Sequence, residues 1–279
     1  MNLRQRRGLK LAVRFTAAVA ITLFFVFPIY WLFMISLKTA EEIYSFPPKW
    51  FPSQLQFGNY AVLFKDGDAT TVGNSLIVAG VSTAIAMFLG TICAYSLARF
   101  KTGGEHLANW IISQRMVPPI AVVFPIFLLY VWLGLVDSYV GLILLYTAFN
   151  LPYVIWMMRG YVLDIPRALE EAALVDGYTR WQVMWKVVFP MCRAGLFATA
   201  IFTFVFAWND FIFANTLTST ENARTVPAAL AFFTGGSQFE DPTGAITAAA
   251  VVVTIPIIIM VLIFQRRIVA GLTAGAVKG

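Results

Sequence analysis

The chain has 279 residues, of which 59% are hydrophobic and only 12% are charged, and its mean hydropathy is +0.77. This composition predicts an all-α membrane protein and excludes an ordinary soluble domain. A formal net charge of +6 could indicate a nucleic-acid partner, but the basic residues flank apolar segments, which favours membrane topology instead.

Six apolar segments predict six transmembrane helices. They cover residues 13–37, 72–98, 107–135, 139–158, 191–217 and 246–264. A basic N-terminus, residues 1–12, precedes the first segment, which is free of charge over residues 15–37. That run is too long for a cleaved signal sequence, so we interpret it as an anchor. The Pro-rich loop that follows, residues 38–71, is amphipathic enough to lie at the outer membrane interface.

The second apolar segment carries small residues at every fourth position. Small side chains at this spacing allow helix backbones to approach closely in lipid, so we predict a packing seam without chemistry. Asn74 near its start is a plausible helix cap. The seam consists of Ser82, Ala86, Gly90, Ala94 and Ala98.

The third segment contains one charge and three prolines, so we expect it to be bent or broken. Irregular backbone at membrane depth is tolerated where protein or a cavity covers it, which makes this helix a candidate for the pathway. We expect its charge, Arg115, near the inner rim; the prolines are Pro118, Pro119 and Pro125. Asp137 and Ser138 are predicted caps of the fourth segment, which has Asn150 midway.

Residues 164–190 lie between apolar segments but carry too many charges to cross a bilayer, since each would cost a few kcal/mol at its centre. Local signals predict two short helices, of which Asp164 and Pro166 start the first and Gly177 ends it. Thr179 followed by Gln182 is a capping box for the second. Helical spacing predicts one apolar face there, formed by Trp181, Met184, Trp185 and Val188. Spacing alone also fits an ordinary amphipathic loop on the membrane.

The fifth segment contains Trp208, Asn209 and Asp210 inside an apolar stretch. An acid at this depth marks either a pathway or a buried polar contact, and a helix cap or an interhelical bond fits equally well. After the sixth segment, the C-terminal tail (residues 265–279) is rich in Gly and Ala and cannot bury enough apolar surface to fold independently.

Charge asymmetry predicts the topology. Six spans place both termini on one side, and that side holds all but four of the 20 Lys and Arg residues, the exceptions being Lys38, Lys49, Lys65 and Arg224. The positive-inside rule therefore places both termini and residues 164–190 in the cytoplasm.

The letters of residues 164–190 resemble a known motif. Glu171, Ala172 and Ala173, then three residues, Gly177, nine residues and a final V-V-F-P ending at Pro190 resemble the EAA loop of bacterial ABC import permeases. Val187 and Phe189 stand where that motif has Ile and Leu. The resemblance implies that this coupling loop (residues 164–190) docks on a separate ATPase subunit. The residues that it implicates are Glu170, Glu171, Ala172, Ala173, Gly177, Trp181 and Pro190.

The resemblance extends along the chain. AYSLARF at 94–100, AFNLPYVIWMMRGY at 148–161, FAWNDF at 206–211 and the ending GLTAGAVKG look like the MalG-like permeases of the maltose/trehalose/glycerol-phosphate importers. It implies half of a permease heterodimer with two ATPase subunits below and an extracytoplasmic sugar-binding protein above, in a bacterial cytoplasmic membrane. It also implies a permease domain over residues 13–264 that forms one wall of the pathway, and a tail that contacts the ATPase through Gly275 and Lys278. Polar residues inside the apolar segments are the pathway candidates: Asn150, Trp208, Asn209 and Asp210.

No cofactor is expected in this chain. It contains no G-x-x-x-x-G-K-[ST] sequence, so ATP and Mg²⁺ would belong to the partner ATPase. One histidine, His106, and two cysteines without C-x-x-C spacing, Cys93 and Cys192, argue against a metal site. A secondary transporter or channel for small polar solutes is the alternative, and a membrane enzyme would lack clustered catalytic groups. The sequence leaves open a disaccharide, an oligosaccharide, a polyol or glycerol-3-phosphate as substrate.

Overall fold

The computed structural model describes residues 3–62, 68–232 and 242–276, with side chains described over 10–61, 70–230 and 242–265. Within these ranges the regular elements are helices. Their bounds are α1 Leu3–Ser36, α2 Ala40–Ile43, α3 Gly58–Val62, α4 Asp68–Phe100, α5 Gly104–Ser113, α6 Pro119–Leu133, α7 Tyr139–Leu163, α8 Arg167–Val175, α9 Arg180–Val183, α10 Phe189–Met191, α11 Arg193–Trp208, α12 Ile212–Leu217, α13 Val226–Phe232 and α14 Thr243–Ala276. A 3₁₀ turn, Gln114–Met116, follows α5, and a π turn, Met184–Val188, joins α9 to α10.

Four of the described helices are long and apolar enough to cross a bilayer, at Lys10–Ser36, Thr70–Phe100, Tyr139–Leu163 and Thr243–Gln265. Two helix pairs pass the same test together but are bent: Gly104–Met116 with Pro119–Leu133 by 90°, and Arg180–Met191 with Arg193–Trp208 by 79°. By length and composition the described helices thus give four spans, or up to six if each bent pair is one span. The second pair begins at Arg180, inside residues 164–190, and ends at Trp208, whereas the predicted fifth segment covers residues 191–217. The first bend confirms the expected break in the third segment, where Pro118 and Pro119 interrupt the helix.

The described helices fall into two compact units, one built from α1–α3 and the part of α14 up to Thr254, the other from α4–α13 and the rest of α14. In the second unit α4 and α7 form the most extensive helix pair, and α11 packs beside both. Its main buried cluster includes Ala86, Ala94 and Val154, all fully buried. This cluster is the frame on which the candidate sites below are built.

The predicted packing seam on α4 is confirmed. A Cβ atom at Gly90 would lie 2.6 Å from Cγ1 and 2.9 Å from Cβ of Val154 on α7, so no side chain fits there. Ala86 and Ala94, one turn away on either side, are fully buried. Small residues at this spacing thus allow the backbones of α4 and α7 to approach closely.

In the first unit, the segment after α1 folds back on the end of that helix. Tyr30 Oη donates a hydrogen bond to the Trp50 carbonyl at 2.9 Å. Glu42 accepts hydrogen bonds from Lys49 Nζ at 2.9 Å and from the Ser53 N–H at 3.0 Å. Hydrogen bonds from Ser53 and Lys49 lower the pKa of Glu42 to about 2. Residues 38–56 are therefore ordered by polar contacts as well as by packing of Trp50 on the rings of Phe27 and Trp31.

The predicted cap at Asn74 is wrong. Helix α4 already begins at Asp68, so Asn74 lies inside it and is buried. Its amide donates to the carbonyls of Glu221 and Arg224, each at 3.0 Å, and accepts from Tyr139 Oη. A buried amide must satisfy its donors and acceptor; the loop after α12 supplies the two acceptors, and Tyr139 at the start of α7 supplies the donor.

Of the two predicted caps for the fourth segment, only Ser138 caps α7, by accepting from the Gly141 N–H at 3.1 Å. The Asp137 carboxylate instead accepts from the N–H groups of Ser219 and Thr220, each at 3.1 Å. The positive φ of Asp137, 57°, turns this residue away from the helix axis. Asp137 therefore fastens the loop after α12.

The ends of the chain continue the outermost spans. Because α1 begins at Leu3, most of residues 1–12 belong to the same helix as the first span. Likewise α14 runs to Ala276, so the first part of the tail, which contains Gly275, extends the last span as a helix. Lys278 lies outside the described residues, as do residues 233–241 of the loop before α14.

Candidate coupling loop and pathway cavity

The first residue of the coupling loop, Asp164, belongs to the end of α7 and does not start the first coupling helix. Asp164 has helical backbone angles, φ −73° and ψ −16°, and its N–H donates to the Gly160 carbonyl at 3.2 Å, so it ends α7. The prediction that it starts the first coupling helix is wrong, because α7 extends past residue 158 to Leu163. Pro166, directly before α8, keeps the expected role at the start of that helix.

Gly177 ends α8 as predicted. Its φ of 88° lies in the left-handed region, and the Tyr178 N–H donates to the Ala173 carbonyl at 3.1 Å. The Gly177 N–H donates to the Leu174 carbonyl, also at 3.1 Å. These two bonds form a Schellman motif, which fixes the turn between the coupling helices.

The capping box of the second coupling helix is confirmed: Thr179 Oγ1 accepts from the Gln182 N–H at 3.3 Å, and Gln182 Oε1 accepts from the Thr179 N–H at 2.9 Å. The predicted apolar face is only partly buried. Met184 and Val188 are buried, whereas Trp181 and Trp185, whose ring centroids lie 5.8 Å apart, are 58% and 38% exposed.

The implicated coupling residues divide into two groups. Glu170 and Ala173 are buried against the chain itself. The exposed group is Glu171, Ala172, Gly177, Trp181 and Pro190. The loop thus presents one exposed surface and keeps an inner face on the helix bundle.

Glu170 is held by α4. Its carboxylate accepts from Tyr95 Oη at 3.0 Å and forms a buried ion pair with Arg99 Nε. Arg99 also donates from Nη2 to the Ile165 carbonyl at 3.0 Å. Sequence reasoning missed Arg99; the signal was a charge in the last turn of an otherwise apolar helix, whose partner only the tertiary fold supplies.

A second feature is a partly open cavity of about 260 Å³ bordered by the bent third segment, α7 and the α11–α12 junction; it is named the pathway cavity after the role predicted for Asn150 and Asp210, which line it. Its polar lining comes from Arg115, Tyr146, Asn150 and Asp210, and its apolar lining from Val117, Pro119, Phe149, Phe206, Ala207 and Phe213. A mostly apolar cavity with a few convergent polar groups is typical of a small-molecule site.

Asp210 forms both of the structural contacts considered for it, an interhelical bond and a helix cap, and it also lines the cavity. It accepts from Tyr146 Oη at 2.8 Å, an interhelical bond. It also accepts from the N–H groups of Phe213 at 3.2 Å and Ala214 at 3.1 Å, which caps α12. One carboxylate therefore joins α7 to the α11–α12 junction.

The other three pathway candidates separate. Asn150 is buried and lines the cavity with Asp210. Trp208 is 1% exposed and its ring stacks on Phe204, so it is a core residue outside the cavity lining. Asn209 is exposed, and its amide donates back to the Val205 carbonyl at 2.9 Å.

Arg115 does not lie near the inner rim as expected. Its guanidinium donates to the Phe149 carbonyl at 2.9 Å and to Asn150 Oδ1 at 3.4 Å, beside the middle of α7. It also lies over the Phe206 ring, 4.6 Å from the centroid. The break after α5 permits this position, because the 3₁₀ turn at the bend carries Arg115 to α7. This half-buried cation is paired with two acceptors and a ring face, which offset its partial desolvation.

Residues 86–273 match the protein family described as "Binding-protein-dependent transport system inner membrane component". The match includes residues 86–100 of α4, the coupling loop and every residue that lines the pathway cavity.

The chain is 45% identical over 255 residues to the trehalose transport system permease protein SugB of Mycobacterium tuberculosis (strain CDC 1551 / Oshkosh), across 90% of this chain and 92% of that protein. It is 37% identical over 269 residues to the sulfoquinovosyl glycerol transport system permease protein SmoH of Agrobacterium fabrum (strain C58 / ATCC 33970), across 96% and 94%. Its fold is similar to a chain of a bacterial ABC transporter involved in the import of the acidic polysaccharide alginate, with a TM-score of 0.75, 23% identity and coverage of 95% and 98%.

Proposed function

Because the chain belongs to the family of binding-protein-dependent transport system inner membrane components, we propose specific roles for its coupling loop, its cavity and its tail. The chain is a permease subunit of an ABC sugar importer, a multi-pass membrane protein that transports rather than catalyses. ATP is hydrolysed by a separate subunit, and a binding protein delivers the solute.

The coupling loop docks on the ATPase subunit. The observation that carries this proposal is the exposed surface of residues 171–181, which the Schellman motif and the capping box hold in a fixed shape. A fixed shape transmits movement better than a flexible linker, because a linker absorbs displacement. Glu171 is exposed and forms no ion pair with the described residues, which leaves its carboxylate available to a basic group on the ATPase.

The complex purified through a tag on this chain tests the proposal. We expect it to contain a second permease chain and an ATPase that carries the G-x-x-x-x-G-K-[ST] sequence. Glu171→Lys should reduce the ATPase content, whereas the same change at the exposed Glu41 after α1 should not. Full retention of the ATPase by the Glu171→Lys and Gly177→Val variants would contradict docking through this loop.

The pathway cavity contributes to the route of the sugar. Its polar groups can exchange hydrogen bonds with hydroxyl groups, and Phe149, Phe206 and Phe213 offer apolar surface to a sugar ring. The names of the two relatives refer to trehalose and sulfoquinovosyl glycerol, which are both glycosides with many hydroxyl groups. We infer that this chain transports a polyhydroxylated solute. The solute passes between this chain and a second permease subunit, with which it forms a heterodimer. Both termini of this chain lie in the cytoplasm.

The tail contacts the ATPase through Gly275 and Lys278. Support comes from its small side chains, which suit a narrow protein interface, and from its basic residue near the end. Deleting residues 273–279 should leave an assembled complex but lower the ATP hydrolysis stimulated by the binding protein. Hydrolysis by the truncated complex in reconstituted vesicles measures this, and an unchanged rate would remove the proposed contact.

A further inference from the structure

The inner end of α4 is tied to the coupling loop by a buried polar cluster. Arg99 binds the loop at two points: through Nε to the Glu170 carboxylate and through Nη2 to the Ile165 carbonyl, 3.0 Å away. Tyr95, one turn earlier on α4, donates to the other Glu170 oxygen at 3.0 Å. The side chains of Arg99 and Glu170 are only 6% and 10% exposed. The two points of attachment bracket the start of α8.

The burial of this ion pair makes it sensitive to loss of either partner. A buried charge whose partner is removed keeps its desolvation penalty without compensation. Charge-assisted bonds from a guanidinium to two acceptors also fix orientation, because its planar donors allow few geometries. The Arg99 cluster therefore fixes the orientation of the start of α8 relative to α4.

The second coupling helix is linked to the same end of α4. The Arg180 guanidinium lies over the Phe100 ring, 5.3 Å from its centroid. Val183 and Met184 belong to the same buried cluster as Ala98 on α4. Both coupling helices therefore rest on the last turns of one transmembrane helix.

We propose that Arg99 is a positioning residue that, through Glu170, makes α8 and the inner end of α4 move as one body when the ATPase displaces the coupling loop. This inference rests on the proposed function, because the ATPase supplies the displacement. The two adjacent glutamates then have different partners. Glu171 is exposed and binds the ATPase, and Glu170 is buried and binds α4. Movement enters the bundle through α4 rather than only through the chain connections at the ends of the loop.

A spin-label distance across this junction tests the proposal. Nitroxides are placed on Val175→Cys at the end of α8 and on Lys101→Cys just after α4, both exposed, in a Cys93→Ala, Cys192→Ala background. Pulsed electron paramagnetic resonance then measures the label–label distance in the purified complex in lipid nanodiscs, first without nucleotide and then with ATP and vanadate.

We expect one narrow distance that is the same in both states. Glu170→Gln should lose the single narrow peak. The charge swap Arg99→Glu with Glu170→Arg re-forms the ion pair but not the bond to Ile165, so it should give a distribution narrower than that of Glu170→Gln and broader than the parent's, which a merely space-filling role would not do. The matched control Glu171→Gln, one residue away and exposed, should keep the narrow peak. If Glu170→Gln does not assemble, Arg99→Lys replaces it, because it keeps the charge but loses the second bond to Ile165, and it should broaden the distance.

The proposal would be overturned by a narrow peak in Glu170→Gln, or in Arg99→Lys where that variant replaces it. It would also be overturned if the distance in the parent changed between the two nucleotide states. The measurement reports geometry inside this chain only. Failure of the proposed docking is recognised separately, by ATPase content that does not respond to Glu171→Lys or Gly177→Val.

Discussion

At the scale of single residues, the Asp210 carboxylate accepts one hydrogen bond from Tyr146 and two from backbone N–H groups while it lines the pathway cavity. Asp210→Asn keeps an oxygen that can cap α12 but removes the charge. We expect this variant to assemble with nearly unchanged thermal stability and to take up the sugar retained by its binding protein at a lower rate.

Asp210→Ala separates the structural from the transport role. It removes the cap as well, so it should cost about 1 kcal/mol of stability in addition to the loss of uptake. Thermal unfolding and vesicle uptake measure the two effects, with Asn209→Ala, exposed and outside the cavity lining, as the control. Normal uptake by Asp210→Asn would leave this carboxylate a purely structural role.

Glu42 gives a pH-dependent prediction. Hydrogen bonds from Ser53 and Lys49 lower its pKa from 4.5 to about 2, so the charged form is favoured in the folded state. Its stabilising contribution is present above pH 4.5 and is lost as the pH falls through about 2. We expect residues 38–56 to resist pepsin at pH 4 and to become sensitive near pH 2.

Glu42→Gln should be cleaved by pepsin at both pH values, because it cannot hold the charge. Glu41→Gln, exposed and adjacent, should behave like the parent and thus controls for general acid effects. Equal resistance of Glu42→Gln and the parent at pH 4 would show that the carboxylate does not hold this segment.

At the scale of elements, the Gly177 turn sets the angle between the two coupling helices. A Cβ at Gly177 would meet no atom within 4 Å, so Gly177→Val acts through its φ of 88° alone. The strain is about 1–2 kcal/mol. We expect normal insertion, reduced ATPase retention on purification and lost uptake.

Gly160→Ala in α7 is the control for this substitution. That glycine also has open space around its Cβ position, but it lies within a helix, where alanine is favoured over glycine. Wild-type ATPase retention and uptake are expected from it. Normal uptake by Gly177→Val would mean that the turn does not set the docking geometry.

What the sequence predicted at this scale follows from how local each signal is. The Gly177 turn and the Thr179–Gln182 box were predictable because each is closed by atoms a few residues apart. The π turn was not, since it follows from packing of Met184 and Val188 into the bundle. The partners of Arg99 lie 66 and 71 residues away, at separations where periodicity carries no information.

The residues proposed for the cavity also divide into those that the sequence could identify and those that it could not. Asn150 and Asp210 line the cavity, and the sequence pointed to both because polar groups in apolar stretches are costly and therefore informative. Trp208 and Asn209 were included only because they are neighbours of Asp210 in the chain. The end of α11 separates the three: Trp208 is its last residue, and the Asp210 carboxylate reaches α12.

At the scale of the whole molecule, the charge asymmetry predicts that the coupling loop and the loop after α12 lie on opposite sides of the membrane. We expect an impermeant thiol reagent to label Asn222→Cys on spheroplasts, and to label Val175→Cys only after permeabilisation. Both positions are exposed, and Cys93 and Cys192 are replaced by alanine in this background. The reverse labelling pattern would contradict the topology.

The contact of Gly90 with Val154 has a mechanical consequence. A gap that admits no Cβ atom leaves α4 and α7 no room for shear, because sliding one helix along the other would drive larger side chains into the same space. We therefore expect the two helices to form a rigid pair. Bending is expected where the helices are interrupted, at the 90° and 79° bends. In an alternating-access cycle, α4 and α7 should then move as one rigid pair, with rotation confined to the two bends.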